Sequence, residues 1–283
     1  MKKNLGFLLI AVAIASMLTG IASATTFMSD TFSYPNGELT INDGTGDNVS
    51  GGAWRPHSGQ GFNDNIDVIG GQAELLNSGS EDAHRDAVWG GSLQTIGLGE
   101  TWYYAALVTV NDRRADPNTE SINNDYFMHF MDNGFGFRTR AYLDNPNVAA
   151  PNKFTFGLSA SSGGQTAKWP TDLNFGQQYK IVGSYAVDTG ATNLWVDPVD
   201  SSSPKISDTN AGAAFTLLQA LAMRQDFIGG TPNNQILIDS VALGNDFDSV
   251  LLNAMNGSNI PEPASMALAL LALVGIAGSR RSF

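Results

Sequence analysis

Short β-prone segments broken at close intervals by turn formers are what most constrain the fold of this chain. Trp102 to Val110 is mostly aromatic or β-branched and holds no turn former, so it reads as a strand. Ile66 to Ile69 and Ala73 to Leu76 flank Gly70-Gly71, whose freedom to take positive φ suits a hairpin. Gln178 to Ala186 and Ala191 to Val196 flank Asp188-Thr189-Gly190 in the same way. Tyr126 to Met131, Phe135 to Tyr142, Phe154 to Ser159 and Ile236 to Leu243 extend the series. Alternation in the second of these predicts Phe135, Phe137, Thr139 and Ala141 on one face and Gly136, Arg138, Arg140 and Tyr142 on the other. Only Ala211 to Met223 reads as helical. Many short strands with a single helix predict an all-β fold, an antiparallel jelly-roll β-sandwich.

The two ends have a different character. Lys2-Lys3, an apolar run from Leu5 to Leu18 and the small-residue site Ala22-Ser23-Ala24 form a secretory signal peptide over residues 1–24, cleaved by signal peptidase before Thr25. At the other end, Pro261-Glu262-Pro263 precedes an uncharged stretch from Ala264 to Gly278, and Arg280-Arg281 follow it. As a helix that stretch reaches roughly 22 Å, short of the roughly 30 Å hydrocarbon core. It is therefore predicted to be a transmembrane helix with a basic flank on the cytoplasmic side, better suited to a transient stop than to permanent residence. Residues 25–255 are then one exported sandwich domain, and 256–283 a sorting segment.

A signal peptide combined with Pro261-Glu262-Pro263, a short apolar helix and a terminal arginine pair resembles the PEP-CTERM sorting signal of Gram-negative bacteria. The resemblance implies processing by an exosortase near Pro261, Glu262 and Pro263. It also implies transient anchoring in the membrane through the C-terminal helix and delivery to the cell surface or beyond it, where exopolysaccharide is made. Within the domain, three stretches resemble the concanavalin A-like, laminin-G-like sandwich superfamily. These are Trp102 to Leu107, the hairpin from Tyr179-Lys180-Ile181-Val182 to Leu194-Trp195-Val196-Asp197-Pro198, and Ile238 to Gly244.

Composition narrows the partners. Without the two ends the domain keeps 11 basic and 26 acidic residues, about 15 net negative charges. Such a field repels phosphate backbones, so nucleic acid is excluded and calcium or neutral glycans are the compatible ligands. The chain has no cysteine, which removes disulfides, thiolate metal sites and cysteine nucleophiles.

Catalytic patterns are sparse. Hydrolysis of a glycosidic bond needs two carboxylates across it. The hydrolases of the resembled superfamily carry them as Glu-x-Asp-x-Glu, which is absent here. Glu81-Asp82-Ala83-His84-Arg85-Asp86 is the densest ionisable cluster and reads as a solvated loop. His57 and His129 stand alone in sequence, and His129 is expected to be a hydrogen-bonded strand residue. Among the tryptophans, Trp169 lies in polar surroundings before Pro170 and is the expected platform for a sugar ring. The superfamily resemblance implies a structural calcium held by Asp239 with backbone carbonyls near Asp30 and Gly71. The expectation from sequence is a non-catalytic exported surface protein serving adhesion, glycan binding or the biofilm matrix. A polysaccharide-degrading enzyme with an atypical site around Glu81 to Asp86, and a structural surface-layer component, are the alternatives.

Overall fold

The computed structural model describes residues 25–40, 48–59, 65–76, 79–118, 120–122, 125–132, 134, 136–148, 150–161, 164–209, 215–225 and 234–256. Ala22 and Ala24 of the expected signal peptide, the segment Pro261 to Pro263, the C-terminal apolar stretch and Arg280-Arg281 lie outside the described residues. Among the described residues no helix is long and apolar enough to cross a membrane.

Two antiparallel sheets face each other across one core. The first runs β17 (Lys205–Thr209), β16 (Ala191–Val196), β15 (Gln178–Ala186), β9 (Thr101–Asp112), β19 (Asn234–Gly244), β5 (Gln72–Leu76), β4 (Asp67–Ile69) and β2 (Gly37–Glu38). Strand β1 (Thr26–Asp30) joins the same edge of β19 further along. The second sheet runs β13 (Ala167–Lys168), β12 (Lys153–Ser159), β11 (Phe137–Asp144), β10 (Asp125–Met131), β18 (Ala220–Arg224), β6 (Asp82–Asp86) and β3 (Arg55–Ser58), with β14 (Leu173–Asn174) on β12. A small hairpin, β7 (Val88–Trp89) with β8 (Ser92–Leu93), stands apart.

The long strands form where period-2 patterning buries one face. In β9, Trp102, Tyr104, Ala106, Val108 and Val110 enter the main core, where Ile181 of β15 and Ile236, Ile238, Val241 and Leu243 of β19 meet them. The second sheet answers with Phe127, Met128, Phe130, Phe154, Phe156, Leu221 and Met223. The hairpins predicted around Gly70-Gly71 and Asp188 to Gly190 are present, and both glycines of the first have positive φ.

Three expectations are overturned. From Phe215, where the described part of the expected Ala211 to Met223 helix begins, no helix forms: Ala220–Arg224 is β18, hydrogen-bonded between β10 and β6. Two flanking ladders outweigh the helix propensity of its Ala and Leu residues, and Leu221 and Met223 alternate into the core. Glu81 to Asp86 is no solvated loop; Glu81 is buried and accepts hydrogen bonds from Thr40 Oγ1 and the Ile66 amide, and the rest is β6. In β11, Thr139 has φ 54°, which breaks the alternation, so Thr139 and Ala141 are buried while Phe137 turns to the opposite face.

The helix of the described fold is α1 (Phe247–Asn256), capped by Asp246, whose carboxylate accepts from the Ser249 amide at 2.8 Å. Phe247, Val250, Leu251 and Ala254 recur on one stripe and cover Ala105, Val182, Trp195 and Ala242 on the outer face of the first sheet. That face is thereby closed, whereas the outer face of the second sheet bears polar and aromatic side chains.

Tyr104 spans the sandwich. Its ring lies over Gly183 of β15 and its hydroxyl donates to the Thr139 carbonyl of the second sheet at 3.2 Å. A Cβ at Gly183 would sit 2.1 Å from the Tyr104 ring. Gly183→Ala is therefore expected to lower stability by about 1–3 kcal/mol through forced repacking, read as an earlier urea midpoint with an unchanged slope.

Candidate ligand-binding face

All three histidines of the chain meet on the outer face of the second sheet. The strand order β10, β18, β6, β3 sets His129, Ala222, His84 and Arg55 opposite one another in a single row. Because Ala222 is small, it leaves a trough between the flanking imidazoles. The His57 ring packs there, 5.4 Å from His84 and 6.2 Å from His129 between centroids. Phe137 closes against His129 at 4.2 Å, and Tyr126 lies 5.3 Å from it on the other side.

Two guanidiniums flank Tyr126. Arg140 and Arg224 each hold their Cζ 4.4 Å from its ring centroid, and Arg140 also lies 5.2 Å from Phe137. Arg224 is ion-paired to Asp125 and stands 3.9 Å from Asp82. Arg140 differs: among the described residues no carboxylate lies within ion-pair distance of it, and its buried Nε has no hydrogen-bond partner. Of the other charges of this face, Arg55 is paired with Asp86 and Lys168 with Asp144 at 3.1 Å, while the Arg138 guanidinium lies 3.9 Å from the Phe215 ring centroid.

Burial dominates the titration of the cluster. It pushes His57 down to about 4, with the charges of His84 and Arg224 acting in the same direction. His129, fully buried, is held well below the usual imidazole value by burial and then by His57, Arg140 and Arg224. His84 is lowered by burial and by Arg55. All three rings are thus neutral at pH 7, and neither nitrogen of His129 has a hydrogen-bond partner among the described residues. The expectation of a hydrogen-bonded strand histidine therefore fails. Burial also raises Asp82 to about 7, although Ser58 Oγ donates to it at 2.5 Å and Arg224 favours its charge.

Neutral imidazoles suit metals, but among the described residues no three histidine or carboxylate side chains are placed to hold an ion. The adjacent guanidiniums also oppose a cation. What the face offers is a cationic group held by aromatic rings, polar ring edges and a small-residue floor, an arrangement for an anion on an amphipathic ligand.

The other sequence candidates lie elsewhere. Trp169 is only 9% exposed and packs into the main core, and its carbonyl accepts from Asn147 Nδ2 and Thr155 Oγ1. The polar residues around it satisfy its backbone, so it presents no free ring face for a sugar. Asp239 occupies the irregularity between Ile238 and Ser240 in β19, and its carboxylate accepts from Gln178 Nε2 at 3.3 Å. The Asp30 carboxylate is turned inward to Trp54 and Arg85.

Residues 259–281 match the model of the PEP-CTERM protein-sorting motif. The chain carries that sorting signal. PEP-CTERM signals direct export and membrane-associated sorting, with an exosortase as the processing partner. No curated protein matches the chain. Among solved structures, winged bean acidic lectin complexed with methyl-alpha-D-galactose is similar over 79% of this chain and 99% of its own, at 12% identity and TM-score 0.48. An alginate lyase from Alteromonas sp. 272 is similar over 69% and 94%, at 9% identity and TM-score 0.40. A sialidase is similar over 76% of this chain, at 11% identity and TM-score 0.46, and the chain spans only 18% of that protein.

The three histidines converge from segments far apart in the chain, so no local pattern announced them. Their opposing strand positions follow only from the insertion of β18 between β10 and β6.

A buried acid whose folded value exceeds its unfolded one stabilises most at low pH and loses that contribution as pH rises through the folded value. For Asp82 the window runs from about 4 to about 7. Asp82→Asn is expected to gain stability over the wild type between pH 5 and pH 8, by on the order of 2 kcal/mol, as measured by urea unfolding at both pH values.

Proposed function

We propose that this PEP-CTERM protein is an exported, exosortase-processed surface protein whose sandwich binds carboxylated polysaccharide on the outer face of the second sheet, without catalysis. The observation that supports this reading is the Arg140 guanidinium. It is oriented between Tyr126 and Phe137 and has no carboxylate partner among the described residues. In a domain with about 15 net negative charges, a guanidinium without a counter-charge is an open position for an external anion.

The overall charge favours uncharged partners, but that field is screened within roughly 8 Å at physiological ionic strength. Five of the domain's 11 basic residues, Arg55, Arg138, Arg140, Lys168 and Arg224, lie on or beside this face. Tyr126 and Phe137, both half-buried, provide the apolar surface on which the C–H faces of a sugar rest. On this reading, export would bring the face to polysaccharide outside the cell.

The degradative alternative has one observation in its favour. His84 is neutral, and its side chain is the most open of the three histidines at 15%. Such an imidazole is a competent base for a proton next to a carboxylate that Arg140 neutralises. Unsaturated ends appearing on a uronic acid polymer incubated with the protein would support that reading, and an unchanged polymer would support binding alone.

Arg140→Gln is expected to weaken binding of a polyuronate by about ten- to a hundredfold, the worth of a charge-assisted bond. Arg113→Gln, at an exposed loop position, is expected to leave it unchanged. Titration calorimetry of both variants checks this, and equal affinities would remove Arg140 from the site.

A further inference from the structure

A cavity lies beside the histidine cluster, where the edge of the first sheet meets the edge of the second. It measures about 760 Å³ and opens between β1, the segment after it, β3, β6 and the β7 hairpin. Cavities of roughly 300–1,000 Å³ are the usual size for small-ligand sites.

Its lining is polar and electrically balanced. Arg85 is ion-paired to Asp30 and Arg55 to Asp86, so each of its guanidiniums already faces a carboxylate. A ligand with net charge would find no complementary group. The hydroxyls of Ser29, Thr31, Ser33 and Tyr34 supply adaptable donors and acceptors, and the paired ions add fixed ones. Phe27 and Val88 form an apolar side, and Val88 is 43% exposed there. Uncharged, rich in hydroxyls and apolar on one face is the description of a neutral sugar.

The wall is preorganised. Phe32 has φ 49°, a costly conformation for a bulky side chain, yet its ring is fully buried and stacks on Trp54 at 5.7 Å. The Asp30 carboxylate holds the turn by accepting from the Phe32 amide at 2.8 Å and from Tyr34 Oη at 2.7 Å. Strain of this kind persists where surrounding contacts over-determine it, and ligand sites are where it concentrates. Here it fixes Thr31 and Ser33 on the rim.

We propose that this cavity is a second carbohydrate site that binds an uncharged saccharide, independently of the acidic-glycan face. Arg55 and Asp86 border both sites, and Asp86 Oδ1 lies 3.9 Å from His84 Nε2. The two sites are therefore contiguous.

The test is calorimetric titration of the full-length chain in a sugar-free zwitterionic detergent. The neutral probes are oligomers of glucose, galactose, mannose and N-acetylglucosamine, and an oligouronate is titrated in parallel. At least one neutral oligomer is expected to bind, and Ser33→Trp, which fills the exposed rim, is expected to weaken it at least about tenfold. Oligouronate affinity is expected to survive Ser33→Trp and to fall with Arg140→Gln, the reverse of the neutral probe. Thr31→Ala, a smaller change on the same rim, should weaken the neutral probe even if the tryptophan variant folds poorly. The proposal is overturned if no neutral oligomer binds, or if binding survives both rim variants. Loss of oligouronate binding alone would count against the acidic-glycan face and leave the cavity standing.

Discussion

The Asp30 carboxylate is the joint on which both candidate sites depend. It is buried at the end of β1 and accepts from the Phe32 amide, Tyr34 Oη, Trp54 Nε1 and Arg85 Nη1. Trp54 leads into β3 and Arg85 belongs to β6, so one side chain ties the edge of the first sheet to the edge of the second. A buried carboxylate is tolerated only when it is fully hydrogen-bonded, and four donors meet that condition. The same contacts hold the strained turn at Phe32 and fix the strands that carry His57 and His84.

Much of the sandwich is written in local pattern. β15 and β16 follow the period-2 alternation of their residues, and the Gly70-Gly71 turn follows from the need for positive φ. The helix Phe247–Asn256 was missed, although Phe247, Val250, Leu251 and Ala254 stand at helical spacing after Asp246. It was obscured by the strand just before it. β18 was not legible: Ala220 to Arg224 looks like helix, and only its two ladder partners make it a strand. Phe137 was assigned to the wrong face because nothing local marks the left-handed conformation at Thr139.

The candidate site was less legible than the fold. His57, His84 and His129 become neighbours through strand order, and their neutrality is a property of burial that sequence does not display. The acidic composition pointed toward neutral ligands. That expectation fits the balanced cavity beside β1 but not the face around Arg140, because net charge averages over an uneven distribution. Trp169 shows the opposite error, since polar neighbours in sequence serve to satisfy a buried backbone.

The central claim is that the outer face of the second sheet receives the carboxylate of an acidic glycan beside Arg140. The chain has only three histidines, all in that cluster, so their imidazole NMR signals report directly on it. Titration with an oligouronate is predicted to shift the signals of His57, His84 and His129 saturably, whereas its uncharged reduced analogue leaves His129 unmoved. Histidine signals that stay still while the oligouronate binds would place the ligand elsewhere and contradict the account.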